Sequence, residues 1–310
     1  MNSIMSHLPA VRGRYSENVD LSRITWFRSG GCAAVVYKPA DADDLSFFLS
    51  HCPADIPRKV LGVGSNVLVR DSGVPGVVIR LGSPFAHIFH DGETIDVGAG
   101  YLDRNLATFA SQKGLGGLEF FAGIPGTVGG ALAMNAGCYG GEVKDVLVHA
   151  IVMDPHGKKH VLTPADLKYA YRSCGLPKDW IFLGARFKCR IETPAIVQKR
   201  MDDIMTAREE AQPIRARTGG STFKNPEGHS AWKLIDEAGC RGLREGGAQV
   251  SEKHCNFLIN VAEATSADLE DLATIVHERV LRQTGIDLQW EIERWGTAKK
   301  KAERAFKSAA

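Results

Sequence analysis

From Ala34 onward the apolar positions come in short runs broken by Gly, Pro, Asp and Ser. That pattern predicts strands over 34–37, 60–61, 67–69, 77–81 and 95–97. One helix interrupts them: Leu106, Ala107 and Ala110 form an apolar stripe behind Asp103, which is placed to cap it, and Gly114 stops it. Strand-like runs resume at 146–153 and 181–191. After Thr193 and Pro194 the helical period takes over. The stretch 201–212 reads as helix, and Ala231, Leu234, Ile235 and Ala238 keep i, i+3, i+4, i+7 spacing up to Gly239. Leu269, Leu272, Val276 and Val280 line a last long helix, capped by Thr265 or Ser266 and ended by Gly285. The pattern predicts an α+β chain with an N-terminal extension over 1–22, a domain over 23–193, a smaller α+β domain over 194–298 and a basic tail over 299–310.

Composition narrows the class. The 310 residues are 44% hydrophobic and 24% charged, ordinary globular values that exclude disorder, while 33 glycines exceed the usual share of ~7% and point to close backbone approaches. Against 36 acidic residues there are 38 Lys and Arg, so no global field favours nucleic acid or an anionic membrane, and any anion must be met locally. The seven cysteines form no C-x-x-C pair, and no run approaches the ~18 apolar residues that a membrane helix requires. The expectation is a cytoplasmic protein with reduced thiols, no obligate protein partner and no metal; His87 and His254 read as ordinary histidines.

Three segments invite chemistry. In 60–73, VLGVGSNVLVRDSG, residue 67 is Val where a third glycine would complete a dinucleotide fingerprint, and a strand follows rather than a helix. What remains is a strand-loop-strand element whose Gly62 and Gly64 bring backbone amides near an anion, with Ser65 and Asn66 adding polar groups, or else a plain hairpin turn. The stretch 114–142 alternates glycine with apolar residues too densely for a linker, so its backbone is expected to lie against something flat, such as a dinucleotide, or to form a tight-turned core. In 217–226, RTGGSTFKNP, a serine hydroxyl stands near an ammonium; Ser221 is suited to protonating a carbanion, and the alternative is an ST-turn followed by an Asn-Pro turn. Arg172 in YAYRSCG is suited to gripping a carboxylate, and Glu291 alternates with Trp290 and Ile292 in a strand-like run.

Taken together and in order, GVGSNVLV, IPGTVGGALAMNAG, YRSC, GGSTFKNP, QVSEKHCNFLIN and EIERWG resemble the UDP-N-acetylenolpyruvoylglucosamine reductase (MurB) family over about residues 20–297. The resemblance implies a vanillyl-alcohol-oxidase (PCMH) type FAD-binding region of two α+β subdomains, split near residue 85, and a C-terminal α+β substrate domain. It implies non-covalent FAD held by Gly62, Val63, Gly64, Ser65 and Asn66, by Ile124, Pro125, Gly126, Thr127, Gly129 and Gly130, and by the Asn135, Ala136, Gly137 turn.

It further implies that NADPH is the reductant and UDP-N-acetylglucosamine enolpyruvate the small-molecule substrate. Hydride reaches the enolpyruvyl β-carbon by way of FAD; Arg172 and Glu291 polarise the substrate carboxylate; Ser221 protonates the α-carbon. Tyr169, Lys224 and Asn225 match substrate-side positions, and Arg208 matches a charge that assists the serine. Only about fifty residues separate Arg172 from Ser221, which resembles the shorter subclass without a tyrosine-bearing lid. Two competing readings are another FAD oxidase of the same fold, with Cys138 or His149 as covalent attachment points, and a non-catalytic flavin-binding module.

Overall fold

Val35, Tyr37, Val77 and Ile79 carry β-branched and aromatic side chains at alternate positions, and in the computed structural model, which describes residues 4–298, they face one another in a four-stranded sheet. The order across it is Arg14–Asp20, Cys32–Lys38, Val74–Ile79, Arg58–Val60; the first pair is antiparallel and the others are parallel. Helix Ala42–His51 covers this sheet through Leu45, Phe48 and Leu49. Residues 14–20 had been expected to lie in a patternless extension. They form an edge strand with six registered pairs to Cys32–Lys38, and its half-exposed faces hide the alternation on which a sequence reading depends.

The second sheet is antiparallel throughout, in the order Lys159–Leu162, Leu147–Met153, Ile181–Lys188, Thr94–Gly98, Ile88–Asp91. Helices Asp103–Gln112, Val128–Met134 and Pro194–Ala211 pack beside it, and their Leu106, Ala110, Leu132 and Met201 share one core with Ile95, Val97 and Phe187. Two expectations change here. Pro194 occupies the first turn of its helix, where a missing N–H costs nothing, so the helix begins seven residues before 201. Its buried Met201 shares the core of the second sheet with Ile95, Val97 and Phe187. Asp103 is not a cap either: Leu102 holds the cap position, and the Asp103 side chain turns into the protein, fully buried.

Beyond 212, a short antiparallel sheet, Arg244–Glu245, Ala248–Val250 and Leu258–Asn260, carries helices Ala231–Glu237 and Ser266–Thr284. The long helix starts at a reciprocal capping box between Thr265 and Asp268 and stops at Gly285, whose φ of 73° suits glycine. Phe27 and Leu68 of the N-terminal part enter this unit's core, and strand Glu293–Trp295 returns to pair in parallel with Val67–Val69. Residues 62–66 are therefore no hairpin turn, because the strands on either side pair with different partners, Val74–Ile79 and Glu293–Trp295. The basic tail lies outside the described residues.

Candidate active site

The parallel pairing that sets Glu293 against Val67 places the 62–66 loop beside Glu291. The Glu293 amide donates to the Asn66 carbonyl at 3.1 Å, and Asn66 Nδ2 donates to the Glu291 carbonyl at 3.3 Å. On its other side the Glu291 amide donates to the Thr222 carbonyl at 2.9 Å, and Phe223 bridges Trp290. Glu291 is thus held between two loops by its backbone, not in the regular strand the alternation suggested; that strand begins at Glu293. Ser221 is fixed from behind: it bridges Phe257, and Asn256 accepts from the Phe223 amide and donates to the Phe223 carbonyl, at 3.0 and 2.8 Å. Sequence reasoning missed Asn256, whose only signal is an amide, like Asn260, beside the apolar run FLI.

Arg172 approaches from the second sheet's side. Its φ of 50° bends the backbone in a turn closed by the Ala170–Ser173 bridge. The guanidinium donates through Nε to Glu291 Oε1 at 3.1 Å and through Nη2 to the Gly137 carbonyl at 2.6 Å, and lies 4.9 Å from the Tyr171 ring centre. Lys224 Nζ donates to the Arg172 carbonyl at 3.4 Å. Burial pushes the Glu291 carboxyl above its usual range; the opposing attraction of Arg172 and Lys224 does not cancel that cost. A buried carboxyl is thus held against a fixed cation.

The glycines earn their places through close approach. A Cβ on Gly62 would stand 2.6 Å from Thr127 Oγ1, and one on Gly126 would stand 2.6 Å from Asp103 Oδ2. Asn135, fully buried in the left-handed conformation, ends helix Val128–Met134. Its Nδ2 donates to Glu142 Oε2 at 2.8 Å and to the Ala170 carbonyl at 3.2 Å, and its Oδ1 accepts from the Lys144 amide at 3.0 Å. This side chain ties the glycine-dense segment to the turn that carries Arg172.

These groups meet in a cleft of about 590 Å³ lined by Gly62, Gly100, Thr127, Gly129 and Gly130 on one side and by Arg172, Lys224 and Glu291 on another. Arg70, Lys178 and Arg294 also line its walls, Arg70 and Arg294 paired with Glu270 and Lys178 with Glu293, with Arg294 4.4 Å from the Trp290 ring centre. None of these was singled out in the sequence, where nothing brings them together. A slot walled on one side by glycines, with Arg172 and Lys224 on another, fits a flat dinucleotide.

Other expected residues stand back from the cleft. Val63, Gly64, Ser65 and Asn66 follow Gly62 around the loop, with Gly64 at a φ of 70° against Thr25. Ile124, Pro125 and Gly126 lead into Thr127, and Ala136 and Gly137 follow Asn135. Ser221 is half-buried and outside the cleft lining. Asn225 accepts from the Ala231 amide at 2.9 Å, at the start of a helix. The Tyr169 ring packs on the core of the second sheet, with its hydroxyl buried and without a partner among the described residues. Arg208 donates to Gln212 and faces Cys138, Tyr139 and Arg104. Neither Cys138, whose thiol donates to the Phe120 carbonyl, nor His149 lines the cleft. Among the described residues no cluster of His, Cys, Asp and Glu would hold a metal ion, and no helix is long and apolar enough to cross a membrane.

Two α+β sheets around a glycine-walled slot, closed by a third unit bearing charged side chains, define an FAD-dependent oxidoreductase. Residues 33–163 match the FAD binding domain family, and residues 212–295 match the UDP-N-acetylenolpyruvoylglucosamine reductase C-terminal domain family. The chain is 54% identical to the UDP-N-acetylenolpyruvoylglucosamine reductase of Parvibaculum lavamentivorans, covering 96% of both, and 56% identical to that of Paramagnetospirillum magneticum, covering 93% and 94%. It is also similar to the crystal structure of the enzyme from Thermus caldophilus, with a TM-score of 0.81 at 36% identity, over 93% of this chain and 100% of the other. The chain belongs to the UDP-N-acetylenolpyruvoylglucosamine reductase family.

Proposed function

We propose that this protein reduces UDP-N-acetylglucosamine enolpyruvate to UDP-N-acetylmuramate with NADPH, in the cytoplasm, as a step in making peptidoglycan precursor. Bound FAD supplies the hydride that adds to the enolpyruvyl β-carbon. The observation that carries the reading is the Arg172–Glu291 pair, held at 3.1 Å in the same cleft as the glycine wall.

Hydride addition to the β-carbon places negative charge on the α-carbon and its carboxylate. Arg172, already fixed by Glu291 and the Gly137 carbonyl, offers its remaining N–H groups to that carboxylate without reorganising. Lys224 adds positive charge beside it. Glu291 holds the guanidinium in place by accepting from its Nε. Ser221 delivers the proton to the α-carbon, because a carbanion is basic enough to take one from an alcohol. Tyr169 and Asn225 act through the Arg172 turn and the 231–237 helix, and Arg208 through the Cys138 segment.

Glu291→Gln is expected to lower kcat about 10²-fold, the usual cost of a small misplacement by a positioning group, with NADPH oxidation by the flavin unchanged; an unaltered kcat makes the residue structural. Gly62→Val is expected to weaken FAD binding roughly 10–100-fold, the affinity equivalent of the usual overpacking cost. Flavin fluorescence released on dilution measures it, and full retention removes Gly62 from the cofactor wall. The whole reading is tested by mixing protein, NADPH and the enolpyruvyl substrate and identifying the lactyl ether by mass.

A further inference from the structure

Ser221, Thr222, Phe223 and Lys224 lie in no regular strand, yet two of the side chains assigned to the reaction stand on this strip. Upstream it continues from Gly219 and Gly220, the second at a φ of 83°, and glycines fix no direction by themselves. Its course must be set by what it touches. On one side the Lys224 amide donates to the Gln289 carbonyl at 2.8 Å, and the Thr222 carbonyl accepts from the Glu291 amide at 2.9 Å. On the other side stands the turn that carries Asn256.

Asn256 is buried and makes three hydrogen bonds to two consecutive residues of the strip. Its backbone carbonyl accepts from the Thr222 amide at 2.7 Å, its Oδ1 accepts from the Phe223 amide at 3.0 Å, and its Nδ2 donates to the Phe223 carbonyl at 2.8 Å. The side-chain amide does for Phe223 what a neighbouring strand would do. That takes a donor and an acceptor on one short side chain, and Phe223 is itself buried, so its polar groups would be costly to leave unpaired. The turn is braced in its own right: Ser251 Oγ accepts from the Lys253 and His254 amides at 3.2 Å, and the Ser251 amide donates to the Phe257 carbonyl at 2.8 Å.

We propose that Asn256 is a positioning residue for the step that saturates the α-carbon: its side-chain amide fixes the 221–224 strip, and through it the Ser221 hydroxyl and the Lys224 ammonium. It lines no part of the cleft and acts only through the strip. The inference rests on the assignment of the proton to Ser221. That proton is consumed only after the flavin has been reduced, so loss of the Asn256 amide should fall on one half of the reaction alone.

The test uses full-length protein purified with FAD, as parent, Asn256→Ala and Asn256→Asp, in anaerobic rapid mixing with NADPH and then with UDP-N-acetylglucosamine enolpyruvate. Asn256→Ala is expected to slow flavin reoxidation by the enolpyruvyl compound about 10²-fold, the usual cost of a small displacement, with bleaching by NADPH at the parent rate. Asn256→Asp adds a readout in pH. An ionised carboxylate has no proton for the Phe223 carbonyl, whereas the protonated acid can make both bonds again. Burial raises the pKa of such a carboxyl, so reoxidation should approach the parent rate in acid and fall away as pH rises through that value. Dividing by the parent rate at each pH removes the titration of Lys224 on the strip, of Glu252, Lys253, His254 and Cys255 on the turn, and of Glu291 on the flanking segment. Bleaching and reoxidation slowed together, neither slowed, or an Asp variant whose deficit does not shrink in acid each overturn the proposal, and the last reads alone should the Ala variant not fold. A parent that the enolpyruvyl compound does not reoxidise, or a Ser221→Ala variant that it reoxidises normally, contradicts the proposed function instead.

Discussion

Replacing Ser221 with alanine is expected to cut turnover of the enolpyruvyl substrate by about 10²–10⁴-fold, the span usual for a positioned proton donor, while NADPH still bleaches the bound flavin at the parent rate. The split follows from the chemistry: only the step that saturates the α-carbon consumes this proton. The hydroxyl makes no competing hydrogen bond among the described residues, while the backbone on either side is locked through Phe257 and Asn256. Alanine therefore removes one proton donor and leaves the segment where it was. Rapid-mixing absorbance resolves the two halves. Equal slowing of both would mean the substitution had disturbed flavin binding, and slowing of neither would take Ser221 out of the reaction.

The second large effect is expected at Arg172. Arg172→Ala removes a preorganised charge donor, a loss that ordinarily lowers kcat about 10²–10³-fold. It also strips Glu291 of the neighbour that most opposes the burial shift, so the Glu291 pKa climbs further in the variant. Arg172→Lys is expected to restore little, because an ammonium cannot serve Glu291, the Gly137 carbonyl and a substrate carboxylate from one planar fork. Steady-state kinetics decides the point: a higher KM with kcat intact would make Arg172 a binding group only.

How far these residues could be read from the chain depended on whether their signal was local. Helix Ser266–Thr284 was legible because Thr265, Asp268 and Gly285 mark both ends within their own segment. Strand Arg14–Asp20 was not, since its partner and its buried side are supplied by Cys32–Lys38. Pro194 read as a break because a lone proline does not reveal whether it opens or ends a helix. Asp103 looked like a cap from its position before an apolar stripe, yet one residue of offset turns it inward. The site shows the same division. The glycine wall was visible as composition, whereas the pairing of Arg172 with Glu291, 119 positions apart, came only from the resemblance. The wall residues Arg70, Lys178 and Arg294 had no local signature at all, and Asn256 had almost none.

The central claim is that one cleft carries electrons from NADPH to an enolpyruvyl carbon. Under anaerobic conditions, NADPH should bleach the yellow protein, and UDP-N-acetylglucosamine enolpyruvate added afterwards should restore the colour with one lactyl ether formed per flavin. Colour that returns only on admitting oxygen, with the enolpyruvyl compound unchanged, would contradict it.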